Sequence, residues 1–252
     1  MLAVERRNRI LERLQAEGRV VVAPLAGEFC VSEETIRRDL AKLERDGYAA
    51  RGYGGAVFNA DGSAEPPYSM RKKTNIAGKQ RIAHQVADLV FDGDFIMLDE
   101  SSTASFVARA ITGKRNITLI TNSIDIIAKL RDAQGWNVLC TGGTLKTDVL
   151  ALTGHQAESF IRSYHVNTAI VSCTGLDLAA GFTEAGEDNA LIKQAMMASA
   201  DKTILAADFH KFNKRAFAPI GRLDSLYALA TDVEPSDDWK TALAEYGVKL
   251  LF

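Results

Sequence analysis

Two sets of residues in this 252-residue chain have types and spacing that could do chemistry. The first lies in VSEETIRRDLAKLERDG, residues 31–47. At 3.6 residues per turn, Ile36, Leu40 and Leu43 share one arc, Arg38, Lys42 and Arg45 occupy the opposite one, and Thr35 and Arg37 flank it. One face packs and the other is offered. Guanidinium groups bind phosphates and guanine edges in paired hydrogen bonds, so the chemistry on offer is DNA recognition. A charged helix face taken alone is as often merely solvated. The second set stands at the ends of apolar runs: Ser101, Ser102 and Thr103 in LDESSTAS (98–105), TNS (121–123), TGG (141–143), Asp208 and Lys211. Hydroxyls and backbone N–H groups at a helix start hold anions, and a ring of short polar donors with one lysine suits a phosphorylated polyol. Any one of these motifs alone could merely cap a helix or turn a loop; their recurrence at successive strand ends is what points to a ligand.

The elements that must position these groups are readable in outline. Ile10 and Leu14 lie four apart in VERRNRILERLQA (4–16), an amphipathic helix ended by Gly18. A second short helix is expected near Pro24, with Leu25 and Phe29 inward. The third runs from Ser32 to Asp46: Ser32 is a good N-cap, Glu33 and Glu34 suit the positive end of the dipole, and Gly47 is the stop. YAARGYGGAVF (48–58) then reads as a glycine-hinged hairpin. Three short helices and a hairpin make a winged helix-turn-helix over residues 1–58, in which the third helix enters the major groove. Thr35, Arg37 and Arg38 are the expected base readers, Lys42 and Arg51 the phosphate contacts, and Ser32 belongs to the same DNA-facing end.

Residues 59–78, rich in Gly, Pro, Asp and Asn, read as a linker. Beyond them seven apolar runs (95–99, 117–121, 136–140, 168–173, 203–207, 226–230, 248–252) recur between helix-like segments. That pattern predicts a larger, doubly wound, mostly parallel α/β domain over residues 79–252.

Composition narrows the function. The formal charge is −2, but residues 1–81 hold 15 Lys+Arg against 11 Asp+Glu, while the remainder holds 15 against 21. The basic bias of the opening stretch favours a local polyanion partner over non-specific coating of nucleic acid. There is no basic-then-apolar leader and no apolar run of membrane-spanning length, so a cytoplasmic protein without membrane contact is expected. Cys30, Cys140 and Cys173 are far apart, two of them in strand-like runs, and are assigned to packing rather than redox or metal chemistry. His84, His155, His165 and His210 have no metal-ligand spacing, so no metal or cofactor is expected.

VSEETIRRDLAKLERDGYAARGYGGAV (31–57) closely resembles the signature of the DeoR family of bacterial sugar-catabolism regulators. RKKTNIAGKQRIAHQVADLV, TNS, TGGTL, CTGLD and AADFHKF are similar to the family's later landmarks, in the same order, so the resemblance covers nearly the whole chain. It implies a transcriptional repressor of a carbohydrate operon acting on double-stranded operator DNA, and because operators usually mirror the two-fold symmetry of their protein a dimer or tetramer is expected. It implies also that the second domain resembles sugar-phosphate isomerases of the ribose-phosphate type and, as in most members, binds a phosphorylated sugar or related metabolite as inducer. The implied contacts are Asp99, Ser101, Ser102 and Thr103 for phosphate, then Thr121, Asn122, Gly142, Gly143, Lys193, Asp208 and Lys211. The chain departs from the family pattern in two places. Glu100 stands in a turn that usually holds glycine, so either its carboxylate turns outward or the ligand differs. His210 and Asn213 replace the usual Ser and Gly after Asp208.

A competing reading is a sugar-phosphate isomerase with an appended DNA module, for which Glu184, Glu187, Asp188 and Lys193 supply the acid and base types. A third has the second domain only oligomerise.

Overall fold

The computed structural model describes residues 2–45, 48–58, 66, 68–131 and 133–252. The chain divides into two compact units, Met1–Met70 and Arg71–Phe252.

In the first unit, α1 (Ala3–Glu17) ends at Gly18, whose φ of 73° is the left-handed C-cap that glycine adopts without penalty. β1 (Arg19–Val21) leads into α2 (Val22–Phe29), which starts two residues before Pro24. α3 (Glu33–Arg45) follows, and the hydroxyl of Ser32 accepts the Thr35 backbone N–H at 3.2 Å, so Ser32 caps it. Asp46 and Gly47, the expected helix end and stop, lie outside the described residues. β2 (Ala49–Gly52) and β3 (Gly55–Phe58) form the hairpin, and β1 joins it as a third antiparallel strand in the order β1–β3–β2. Gly55 is required by that third strand, because a Cβ there would lie 2.1 Å from the Val20 carbonyl oxygen. Ile10, Leu14, Leu25, Phe29, Ile36, Leu40 and Leu43 build the core. A single helical turn, α4 (Tyr68–Arg71), spans the division of the chain.

The second unit opens with α5 (Ile76–Ala87), capped by Asn75, whose side chain accepts the Gly78 N–H. Helical structure thus reaches into the 59–78 stretch, of which residues 59–65 and 67 lie outside the described set. Then come β4 (Phe95–Leu98), α6 (Ser102–Ala110), β5 (Thr118–Thr121), α7 (Ile124–Lys129), β6 (Asn137–Cys140), a small antiparallel pair β7 (Thr144–Lys146) and β8 (Ala151–Thr153), and α8 (His155–Arg162). β9 (Val166–Val171), β10 (Gly175–Asp177), β11 (Gly181–Glu184), α9 (Glu187–Ala198), β12 (Ala200–Ala206), β13 (Ala218–Gly221), β14 (Ala228–Ala230), α10 (Asp237–Glu245) and β15 (Lys249–Leu251) complete it.

Seven strands form one sheet in the order β15–β14–β12–β9–β4–β5–β6, every neighbouring pair parallel. These are the seven apolar runs. Side chains alternate between its faces: Ile96, Leu98, Leu119 and Ile170 meet α5, α6 and α7, whereas Met97, Ile120, Ala169 and Val171 meet α8, α9 and α10. Both faces are covered, as the doubly wound pattern requires. The three-stranded sheet β10–β11–β13 and the β7–β8 pair were not foreseen.

The thiols correct an expectation. Cys173 is buried, but Cys30 and Cys140 are exposed: Cys140 ends β6, the open edge of the sheet, and Cys30 is the left-handed C-cap of α2 at φ 51°. Among the described residues no helix is long and apolar enough to cross a membrane.

Candidate functional site

On α3, Ile36, Asp39, Leu40 and Leu43 are buried, which leaves the cationic arc outward. Arg37 and Arg38 are exposed, each paired with the acid one turn earlier: Arg37 with Glu33 at 2.5 Å and Arg38 with Glu34 at 3.2 Å. Such solvated i,i+4 pairs are worth a few tenths of a kcal/mol, about 0.3–0.5, so a phosphate or guanine can displace them. Thr35 is half-buried with its hydroxyl 2.9 Å from that of Ser32, so both partly serve the cap. Lys42 is exposed on the same arc. Arg51, on β2, bonds Glu44 through its Nε at 2.6 Å and its backbone N–H at 3.0 Å, which ties the hairpin to α3.

What orients α3 is a buried ion pair that sequence reasoning missed. Asp39 accepts from Arg6 at 2.5 Å and from Arg7 at 3.4 Å, both on α1. The signal was available: an acid in the arc of Ile36, Leu40 and Leu43 occupies a packing position and needs a buried cation.

In the second unit the strand order reverses between β4, whose chain continues outward to β5, and β9, which returns on its other side. The crevice outside the carboxyl ends of these strands is where open α/β sheets bind ligands. Asp99 spans it, accepting the Ser101 N–H at 3.0 Å from its own loop and the Ser172 N–H at 2.7 Å from the end of β9. Ser101 caps α6 by accepting the Ala104 N–H at 3.0 Å, and Ser102 and Thr103 are its buried first residues. Their N–H groups are among the orphan donors of a helix start. Thr121 donates to the Leu98 carbonyl at 2.7 Å, and Asn122 donates to Glu100 and to the Leu152 carbonyl, both at 3.2 Å. Among the described residues the Asn122 Oδ1 is buried with no hydrogen-bond partner. Gly142 and Gly143 are exposed, with φ of 69° and 106°, and a Cβ on Gly143 would lie 2.6 Å from the Thr153 carbonyl oxygen.

Lys193 is the electrostatic centre. Its ammonium donates to Glu184 and lies 3.4 Å from Asp99 and 3.5 Å from Glu100, all four groups being buried. Glu100 therefore points inward, and the outward turn that would keep it from an anion does not occur. Burial, only partly offset by Lys193 and reinforced by Asp99 and Glu184, raises the Glu100 carboxyl to about 7. Glu184 goes the other way: burial opposes ionisation, but Lys193 and the hydrogen bonds from Thr174 and Ala185 bring it down to about 2. Burial disfavours the bare ammonium of Lys193, yet Glu100, Glu184 and Asp99 hold its pKa well above the usual lysine value.

Asp208 is buried at the end of β12, accepting the His210 N–H at 3.1 Å, with Lys211 half-buried three residues on. Burial raises the Asp208 pKa, but the hydrogen bond from the His210 side chain, whose Nδ1 lies 3.3 Å away, and the charges of Lys211, Lys79 and His210 leave it lowered. Asn213 stands at φ 56°, a backbone that glycine or asparagine adopts, and its Oδ1 accepts the Trp239 indole N–H at 3.1 Å. The glycine-to-asparagine departure thus keeps the turn. Burial pushes the Cys173 thiol beside this cluster up to about 12, so it is inert. Glu187 and Asp188 are exposed on the first turn of α9, where Asp188 pairs with Lys146 at 2.6 Å.

Family models match both parts of the chain: a DeoR-like helix-turn-helix domain over residues 6–61 and a DeoR C terminal sensor domain over 74–233. The HTH-type transcriptional regulator YulB of Bacillus subtilis is 39% identical over 232 residues, covering 92% of this chain and 90% of that protein. The glycerol-3-phosphate regulon repressor of Escherichia coli K12 is 27% identical over 250 residues, 99% of each chain. Ribose 5-phosphate isomerase A of Methanocaldococcus jannaschii is 15% identical over 53% of each chain, with a TM-score of 0.39.

Proposed function

The chain belongs to the DeoR family of transcriptional regulators, and from that premise we propose that it represses a carbohydrate catabolism or transport operon and leaves its operator when a phosphorylated sugar or related metabolite binds. The observation that carries the reading is the joining of two kinds of site in one chain. The first is a helix with Arg37, Arg38 and Lys42 on its open face; the second is a switch-point crevice with a capped helix start and the unpartnered Asn122 Oδ1.

In this reading Thr35, Arg37 and Arg38 approach base edges, Ser32 lies beside them, and Lys42 and Arg51 meet phosphates. The effector anion meets the N–H groups of Ser102 and Thr103. Asp99, Ser101 and Thr121 shape the crevice through bonds they already make, and Asn122, Gly142, Gly143 and the Asp208–Lys211 pair line it. Lys193 acts through the carboxylates it holds. Operators mirror the two-fold symmetry of their proteins, so a dimer or tetramer is the functional form. Effector binding shifts the population of DNA-competent assemblies by its preference for one state over the other.

Footprinting of a repeat-containing promoter fragment, with and without a panel of sugar phosphates, tests the proposal. Protection that one phosphorylated sugar removes is the expected result, and no protection at moderate salt under any condition would end it. The isomerase reading fares worse. The relatives are regulators, and Glu187 and Asp188, two of the four candidates for its acid and base, are exposed.

A further inference from the structure

A carboxylate is the group a phosphate should least tolerate beside it, and Glu100 is not turned away from the crevice. It precedes Ser101–Thr103 directly, is buried, and is held by the Asn122 amide at 3.2 Å on one oxygen and by Lys193 at 3.5 Å on the other. The charged groups packed around it come from three further places: Asp99 at the end of β4, Glu184 on β11 and Lys193 on α9. Three carboxyl groups therefore share one ammonium. With Glu100 ionised this quartet is a net dianion next to the helix start; with Glu100 protonated it carries a single negative charge. The buried, unpartnered Asn122 Oδ1 is a separate sign that a hydrogen-bonding ligand completes the crevice.

A doubly charged anion arriving at α6 repels the ionised form of Glu100 and leaves the neutral form unopposed, so binding must raise the affinity of Glu100 for a proton. Burial first, then Asp99 and Glu184 against Lys193, already hold this carboxyl at about 7, so the proton is within reach near neutral pH.

We propose that Glu100 is the specificity-determining residue of this site: it takes up one proton from solvent when a doubly charged anion binds at the N-terminus of α6, and so couples affinity for such effectors to pH. The inference rests on the reading of this crevice as the effector site. An uncharged polyol in the same place would bond the ionised carboxylate through its hydroxyls and take up no proton.

Titration calorimetry of the full chain with sulfate and with inorganic phosphate, between about pH 6 and about pH 9 in two buffers of different protonation enthalpy, is the test. Sulfate stays a dianion throughout, so its pH dependence reports the protein alone. Uptake approaching one proton per bound sulfate is expected above pH 7, fading at the acid end where Glu100 is already protonated. The Kd should rise by up to about tenfold per pH unit on the alkaline side. Glu100→Gln should abolish the uptake and hold the Kd flat near the wild-type acid value. Binding of sulfate to the wild-type chain without proton uptake at about pH 8.5 overturns the proposal, whatever the variant does. So does a Glu100→Gln chain that keeps the uptake. If neither anion binds at any pH, the effector-site reading falls as well, which separates that failure from a failure of Glu100 alone.

Discussion

Replacing Lys193 with methionine removes the ammonium and keeps the length of the side chain. At an effective dielectric near 20, unit charges 3.5 Å apart attract by about 5 kcal/mol. Lys193 has one such contact at 3.5 Å, one at 3.4 Å and a closer one to Glu184. The cost of burying the ammonium takes back several kcal/mol, so the net loss is set by the carboxylates left without a cation, about 3–5 kcal/mol. Glu184 is held at about 2, so its stabilisation is fully present above the unfolded carboxylate pKa and is lost progressively as pH falls from there through about 2. Removing Lys193 takes away the largest part of that contribution at neutral pH, leaving the hydrogen bonds from Thr174 and Ala185. Glu100, at about 7, already opposes the fold increasingly as pH rises from the unfolded value through 7, and without Lys193 it opposes more. The deficit of Lys193→Met should therefore be largest near pH 8 and shrink toward pH 6 as protons replace the ammonium. Urea unfolding followed by tryptophan fluorescence reads this unit alone, since Trp136 and Trp239 both lie in Arg71–Phe252. Lys146→Met is the control: its contact with Asp188 is short, 2.6 Å, but both side chains are about half exposed, and such pairs contribute at most about 1 kcal/mol. A Lys193→Met loss no larger than the control's, or one that does not vary with pH, would refute the reasoning.

On DNA, Arg38→Ala should cost about 1–3 kcal/mol and relax preference at one base pair, whereas Lys42→Ala should lower the salt slope by about one without changing preference. Binding isotherms on specific and random duplexes at several salt concentrations check both, and equal loss on the two DNAs for Arg38→Ala contradicts base reading. Asp39→Ala leaves Arg6 buried without a partner and should destabilise the first unit by about 3–5 kcal/mol; a circular-dichroism melt showing no larger change than the exposed Glu34→Ala would refute the clasp. Asn213→Val forces a β-branched residue into left-handed backbone at about 1–3 kcal/mol. Asn213→Gly should lose only the Trp239 hydrogen bond, about 1 kcal/mol, so equal unfolding midpoints for the two variants would remove the conformational argument.

Much of the fold was legible because it rests on periodicity. A strand buried on both faces has to be apolar throughout, and all seven runs became strands of one parallel sheet. The small sheets were not legible for the opposite reason. GLD, GFTE and APIG are three or four residues long and carry glycine or proline, so they present no alternation to read. Cys140 misled because its run is apolar while its strand is the sheet edge, and strand order is a tertiary fact that local pattern does not carry. Asp39 hid for a related reason. Its partners Arg6 and Arg7 sit over thirty residues away, among other arginines that face solvent.

The candidate crevice was legible in residue type but not in the division of labour among its residues. Strand ends rich in Ser, Thr, Asn and Gly pointed to the carboxyl edge of the sheet, yet many of those groups turn out to be spent on the chain itself. Asp99 bridges the two loops at the switch point, Ser101 and Ser123 cap helices, and Thr121 is tied to the Leu98 carbonyl. A residue bonded in this way shapes a site without being free to bind in it. In the proposed reading, what is left to meet a ligand, beside the lining at Gly142, Gly143, Asp208 and Lys211, is the first N–H groups of α6, the amide oxygen of Asn122 and the carboxyl of Glu100. The last of these could not have been foreseen, because it depends on Glu184 and Lys193 reaching the same point from β11 and α9. Only the folded sheet brings three acids to one lysine, and in the proposed reading that ratio is what lets a single proton change the charge of the crevice.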